Sequence, residues 1–297
     1  MSNEPTYSVI IPHYNSPALL RRCLDSIPDR KDIQVIVVDD NSSPQAVDFA
    51  HFPGNERRYT QVFYNKTGHG AGHARNIALP QAKGQWLLFA DADDYFTTEA
   101  WSVIAREAQR DADIIYLGIE SRDNETGESL HDRGDTYMKN LRHYATTHAQ
   151  DWEYRLRFWN NTPWGKLIRR QVVTQNAIVF GETKHANDVL FSTRVAICAR
   201  SVEATTDVCY CVTRCAGSLT QDASLDALSE RYKVCLQKNL LLRENGFRQY
   251  EAPINAFIGA FLHFGRMGIG QWYRLSKQYH ASIGKSLKWF IKLHCEK

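Results

Sequence analysis

The sequence predicts an α/β fold, a mostly parallel central sheet flanked by helices and followed by a helical C-terminal extension. Three observations predict it. Short β-branched runs alternate with helix-spaced stretches through the first hundred residues, the pattern of parallel strands joined by crossover helices. Polar clusters follow three of those runs, where an open parallel sheet places its ligands. From Ser224 onward the spacing is almost wholly helical.

In chain order, the β-branched and aromatic runs Ser8 to Ile11, Gln34 to Val38, Gln61 to Tyr64, Trp86 to Ala90 and Ile114 to Leu117 are the expected strands. Between them Ala18 to Ile27, His73 to Gln81 and Glu99 to Gln109 have helical spacing, the last with Thr97 or Thr98 as its expected cap. Residues 124 to 150 turn polar around Gly127 and Gly134, so an irregular connection is expected there. A second α/β stretch follows, with helices over Asp151 to Phe158 and Asp188 to Cys198 and extended chain at Lys166 to Ile168 and Val208 to Thr213.

Composition excludes several classes. With 43% hydrophobic and 23% charged residues in 297, the chain is neither disordered nor fibrous. Its 36 basic and 33 acidic residues leave a net charge of +3, too even for a nucleic-acid partner across the whole surface. Met1 to Thr6 is polar and Tyr7 to Ile11 is too short for a signal core, so a cytoplasmic protein is expected. Ile254 to Phe264, the most apolar later stretch, falls short of the roughly 20 residues of a bilayer span. The seven cysteines lack the paired spacing of a disulfide scaffold or zinc ribbon, although Cys209, Cys211 and Cys215 lie close enough in sequence to consider as ligands.

The chemistry is expected at the strand ends. Strand one runs into Pro12-His13-Tyr14-Asn15, strand two into Asp39-Asp40-Asn41-Ser42-Ser43 and strand four into Asp91-Ala92-Asp93-Asp94. Carboxylates crowded after a buried strand repel one another unless a cation neutralises them, and Mg²⁺ or Mn²⁺ suits such oxygen ligands. For an isolated Asp-x-Asp a helix cap or a turn is the alternative, which this position after a buried strand weakens. Gly68 to His73 matches neither a Walker motif nor a dinucleotide fingerprint, so His69 and His73 are taken as loop residues.

In order, Val9 to Asn15, Val37 to Ser42, Gly70 to Asn76 and Asp91 to Asp94 resemble the motifs of the family 2 glycosyltransferases of GT-A fold, over residues 7 to about 200. That resemblance implies a GT-A domain over 1–220, with a nucleotide-binding half at 1–120 and an acceptor-side half at 121–220, and a helical accessory region at 221–297. It implies that Pro12, Tyr14 and Asn15 line the nucleoside pocket and that Asp40 accepts a hydrogen bond from the base, usually uracil. Arg75 is implied near the nucleotide, its fork on a carboxylate or the diphosphate; a surface ion pair is the alternative. Asp93 is the implied ligand of Mn²⁺ or Mg²⁺, while Asp91 and the adjoining Ala92 face the ribose or sugar and Asp94 supports them.

Asn161 to Lys166 and His185 to Phe191 resemble the acceptor side of the same family, where the aspartate opening the helix is the catalytic base; here that is Asp188. Its alternative role is that of a helix N-terminal carboxylate. Relatives commonly carry Glu-Asp at this place, whereas Asn187 precedes Asp188 here. Trp164 is expected to stack on a sugar or lie in the core, and Lys166 to reach an acceptor carboxylate or phosphate or be solvated.

The expectation is an inverting, metal-dependent transferase that moves a sugar from a UDP-sugar to a glycan or lipid-linked acceptor in surface polysaccharide, capsule or lipopolysaccharide synthesis. A transferase-like protein that binds nucleotide or a partner without turnover is the alternative. The sugar-nucleotide pyrophosphorylases need a Gly-rich, Arg- and Lys-bearing signature after strand one, which Pro12 to Asn15 does not supply. At the C-terminus, Lys285 to Leu293 mixes cations with Trp289, Phe290 and Leu293, the pattern either of a helix in peripheral contact with the inner face of a membrane or of a docked helix with solvated lysines.

Overall fold

The computed structural model describes residues 4–214 and 222–281. Its centre is β1 (Tyr7–His13), buried along its whole length, with β2 (Ile33–Asp40) on one side and β4 (Trp86–Phe89) on the other. Both neighbours pair with it in parallel, Ile10 lying opposite Ile36 and Phe89, and β3 (Thr60–Asn65) extends the sheet beyond β2. The chain thus leaves β1 toward one edge and returns to its other side, so a crevice opens at the carboxyl ends of β1 and β4.

The full order of the eight-stranded sheet is β3-β2-β1-β4-β7-β6-β8-β5. Here β7 (Lys166–Arg169) is antiparallel to both β4 and β6 (Ile114–Asp123), whereas β8 (Val202–Arg214) runs parallel to β6 and antiparallel to the short β5 (Tyr95–Phe96). The fifth expected strand therefore exists, but an inserted antiparallel strand separates it from the fourth. Cys209 and Cys211 lie in β8 as expected and are buried; Cys215 lies outside the described residues.

Helices α1 (Pro17–Asp25), α2 (Ala71–Ala78) and α3 (Ala100–Glu107) lie close to their expected spans. Pro17 presets the first turn of α1, where its missing N–H costs nothing. Neither threonine caps α3: Glu99 precedes it without a side-chain cap, and the Thr97 hydroxyl instead donates to the Val208 carbonyl, tying β5 to β8. His73 is a residue of α2 and not of the preceding loop.

The larger correction concerns 124–150, where α4 (Arg133–Thr147) replaces the expected irregular connection. Asp132 caps it by accepting the Gly134 N–H at 2.8 Å. Tyr137, Met138, Leu141 and Tyr144 form a buried stripe at helical spacing, diluted in the sequence by the polar residues between them. Then follow α5 (Gln150–Trp159), α6 (Arg170–Gln175) and α7 (Val189–Cys198).

The expected helical extension begins with α8 (Leu225–Glu244), capped by Ser224, and continues through α9 (Asn255–Leu262) and α10 (Gly265–Gln278). Tyr232, Leu236, Ile258, Phe261, Trp272 and Leu275 form its own small core. Leu242 and Tyr250 pack instead with Phe158 and Ala196, fastening α8 to α5 and α7. Lys285 to Leu293 lies outside the described residues.

Candidate active site

The loops after β1 and β2 hold each other. Asn15 and Asn41 adopt positive φ of 52° and 63°, a conformation asparagine tolerates. The Asn15 N–H donates to the Ser42 hydroxyl, and its side-chain oxygen accepts the Ser43 N–H, both at 2.8 Å. Beneath them His13 accepts the Ser16 N–H at Nε2 (3.1 Å), which places the ring proton on Nδ1, donated to Asp39 at 2.8 Å. Burial works against ionisation of Asp39, yet the His13 ring and the Ser42 hydroxyl and N–H together hold its carboxyl below the usual carboxylate range.

Asp40 is 7% exposed and fastens the next loop, accepting from Asn65 Nδ2 (2.7 Å) and from the N–H groups of His69 (3.2 Å) and Gly70 (2.7 Å). Three of the roughly four acceptor positions of its carboxylate are thus taken, leaving one. Pro12 is buried at the end of β1, whereas Tyr14 is 61% exposed at the rim.

After β4 the carboxylates of Asp91, Asp93 and Asp94 each bring an oxygen within 4.8 Å of the others, with Ala92 buried between them. Asp94 faces inward and accepts from the Tyr210 hydroxyl (2.9 Å) and the Thr213 N–H (2.7 Å). The same Tyr210 oxygen accepts the Asp91 N–H at 2.9 Å, so β8 grips the loop at both ends. Arg22 of α1 and the Thr213 hydroxyl both donate to the Asp93 carbonyl. Burial, and then the charges of Asp93 and Asp91, push the Asp94 carboxyl well above its ordinary range. Such a set of hard oxygen donors fits a divalent cation.

Arg75 joins the two halves of the site. It is 4% exposed, so it is not a surface ion pair. One end of its fork donates to Asp91 at 2.5 Å and the other to Asn187 Oδ1 at 3.0 Å, and the guanidinium lies 5.2 Å from the Phe180 ring centre. Asn187 thus supplies the acceptor oxygen that a carboxylate could offer there. Close packing between α2 and the loop ahead of α7 (Val189–Cys198) depends on Gly72, where an added Cβ would fall 1.9 Å from the Gly181 carbonyl oxygen.

Asp188 opens α7 next to Asn187, and its side chain caps no backbone N–H. Its loop is held from α8: Glu230 accepts from both the His185 N–H (2.7 Å) and its ring Nδ1 (2.8 Å), while His185 Nε2 faces Asp222 at 3.1 Å. The sequence gives no signal for this pairing, because the partners are 45 residues apart.

Trp164 and Lys166 are both buried. Trp164 is 3% exposed and stacks on Tyr210, with ring centres 5.9 Å apart. The Lys166 ammonium is neither solvated nor turned outward: it donates to the Asn160 and Thr162 carbonyls at 2.8 and 2.6 Å. Burial, opposed by Asp188 and reinforced by Lys238, lowers its pKa to about 7. Lys238 of α8, 2% exposed, holds the same loop through the Phe158 carbonyl and Asn161 Oδ1.

The family model for glycosyl transferase family 2 matches residues 8–176. EpsH of Bacillus subtilis, named as a glycosyltransferase, is 26% identical over 282 residues, covering 90% of this chain and 78% of that protein. The poly(ribitol-phosphate) beta-N-acetylglucosaminyltransferase TarS of Staphylococcus aureus is 26% identical over 213 residues, 69% of this chain but 35% of that one. The structure of TarS residues 1–349 with UDP-GlcNAc superposes with a TM-score of 0.67 at 22% identity, covering 92% of this chain and 80% of that one. The mannosyltransferase PcManGT of Pyrobaculum calidifontis, in complex with GDP-Man and Mn²⁺, gives 0.58 at 16%, covering 93% and 82%. These likenesses show that the sheet and its helices form a GT-A fold.

Proposed function

The chain belongs to glycosyl transferase family 2, and within that family we propose that it is an inverting enzyme that moves a sugar from a UDP-sugar to a hydroxyl of a glycan or lipid-linked acceptor during surface polysaccharide synthesis at the cytoplasmic face. One observation carries the proposal: a single buried guanidinium, Arg75, ties the acidic loop at Asp91 to Asn187, the neighbour of Asp188. The donor-side carboxylates and the base candidate are thereby fixed to one another.

In this reading Pro12, Tyr14, Asn15 and Asp40 frame the nucleoside, Asp40 using its remaining acceptor position, and Asp91 with Ala92 borders the ribose and sugar. Asp93 is the ligand of a Mn²⁺ or Mg²⁺ ion, with Asp94 behind it as the buried support. When bound, the ion offsets the negative charge of the leaving diphosphate. The Asp188 carboxylate takes the proton of the acceptor hydroxyl while that oxygen attacks the anomeric carbon. As the new C–O bond forms, the bond to the diphosphate oxygen breaks on the opposite face, and the configuration inverts. The UDP-GlcNAc complex of TarS and the Mn²⁺ complex of PcManGT support a nucleotide-sugar and a metal in this fold.

The substitution Asp188→Asn tests the proposal, because the side chain caps no helix N–H. Transfer should be lost with UDP affinity retained. Retained transfer would remove Asp188 from the chemistry, and a folded wild-type protein that binds UDP without turning over any UDP-sugar would favour a binding protein.

A further inference from the structure

In α10 one face is fixed inward. Trp272 and Leu275 join Tyr232, Leu236, Ile258 and Phe261 in the small helical core, and the Ser276 hydroxyl hydrogen-bonds to Tyr232 at 2.7 Å. Gly268 lies so close to α9 that an added Cβ would fall 2.0 Å from the Phe261 carbonyl oxygen. The opposite face is thereby committed to the outside. It presents Arg266, Met267, Gly270, Tyr273, Arg274 and Lys277, which recur at intervals of three and four residues and so form one stripe. Met267 is 75% and Tyr273 51% exposed, and Leu262 adds a further apolar side chain, 38% exposed, at the end of α9.

The charge on this face has one sign. No acidic residue occurs from Ala252 to Cys295, and Arg266, Arg274, Lys277, Lys285, Lys288 and Lys292 fall in that stretch, while the rest of the chain carries a slight excess of acids. Among the described residues no ion pair engages Arg266, Arg274 or Lys277. No described helix is long and apolar enough to cross a membrane.

We propose that the exposed face of α10, from Arg266 to Lys277, docks on the surface of an anionic lipid bilayer. Cations alone would suit any polyanion, but Met267 and Tyr273 set between them suit a partner with an apolar layer beneath its charged one. The sequence beyond α10 repeats the mixture with Lys285, Lys288, Trp289 and Phe290. The docking face is distinct from the site itself, but α10 packs on α8, and α8 holds the Asp188 loop through Glu230 and His185.

The test is co-sedimentation of the full chain with phosphatidylcholine vesicles, with and without phosphatidylglycerol. Binding should require the anionic lipid and weaken with salt. The triple variant R266E/R274E/K277E should lose on the order of 100-fold in affinity, and Met267→Ser with Tyr273→Ser should also weaken binding; all five positions are exposed, so the melting temperature should not change. Wild-type binding by the charge-reversed chain would overturn the proposal. So would undiminished vesicle binding by the Met267/Tyr273 variant together with equal affinity for soluble polyphosphate, which would assign the face to a free polyanion. A dimer that this variant dissolves would assign it to a second copy of the chain.

Discussion

Lys166→Met should flatten the dependence of stability on pH. In the folded protein the ammonium is 4% exposed, contacts two backbone carbonyls and has its pKa lowered from 10.5 to about 7, chiefly by burial. Below pH 7 both folded and unfolded chains carry the proton, and the folded state bears the full desolvation penalty. Between pH 7 and 10.5 the unfolded chain binds more protons than the folded one, so stability rises with pH. The slope from this one group is at most a little over 1 kcal/mol per pH unit, with a ceiling of about 5 kcal/mol across the window. Lys238, lowered to about 8 by burial, adds a slope of the same sign that the variant retains. Urea unfolding at pH 7, 8, 9 and 10 reads the effect directly. The wild type should gain on Lys166→Met by about 1 kcal/mol per pH unit. Parallel profiles would show that the ammonium is not sequestered and would refute the reasoning.

Two further outcomes follow from the joints around the site. Replacing Arg75 with Lys leaves a point charge where a fork reached Asp91 and Asn187 together, so urea unfolding should register a loss of about 1.5–3 kcal/mol, and UDP-sugar transfer should fall with it. Glu230→Ala removes both hydrogen bonds from α8 to His185, leaving its contact with Asp222; kcat for transfer should drop on the order of 10-fold to 100-fold while UDP affinity by calorimetry stays unchanged. A change in melting temperature alone, with kcat intact, would make Glu230 a purely structural residue.

The strand ends were legible because buried parallel strands announce themselves as continuous apolar runs, and polar residues immediately after them have few other reasons to cluster. Asp91 to Asp94 were singled out in this way, whereas Asp188 rested on the resemblance of His185 to Phe191 to the acceptor side of the family. Tyr210 and Thr213 were not, since their hydrogen bonds to Asp94 come from a strand more than a hundred residues away and depend on the pairing of β5 with β8. The same holds for Glu230 and Lys238, which look like ordinary charges of an amphipathic helix until α8 is packed. Lys166 shows the limit in the other direction. Residue type suggested a solvated or ligand-facing amine, but its position in β7, at the middle of the sheet, turned the amine to backbone carbonyls. Local composition also hid α4, whose apolar stripe is spread among threonines, arginines and other polar residues.

The most direct measurement is calorimetric titration of the full chain with UDP, in Mn²⁺ and in chelator, for the wild type and Asp93→Asn. UDP should bind the wild type only with the metal present, and Asp93→Asn should lose that metal-dependent binding while remaining folded. Equal UDP affinity with Mn²⁺ and with chelator, or an Asp93→Asn protein indistinguishable from the wild type, would contradict a metal-assisted nucleotide-sugar site at the acidic loop.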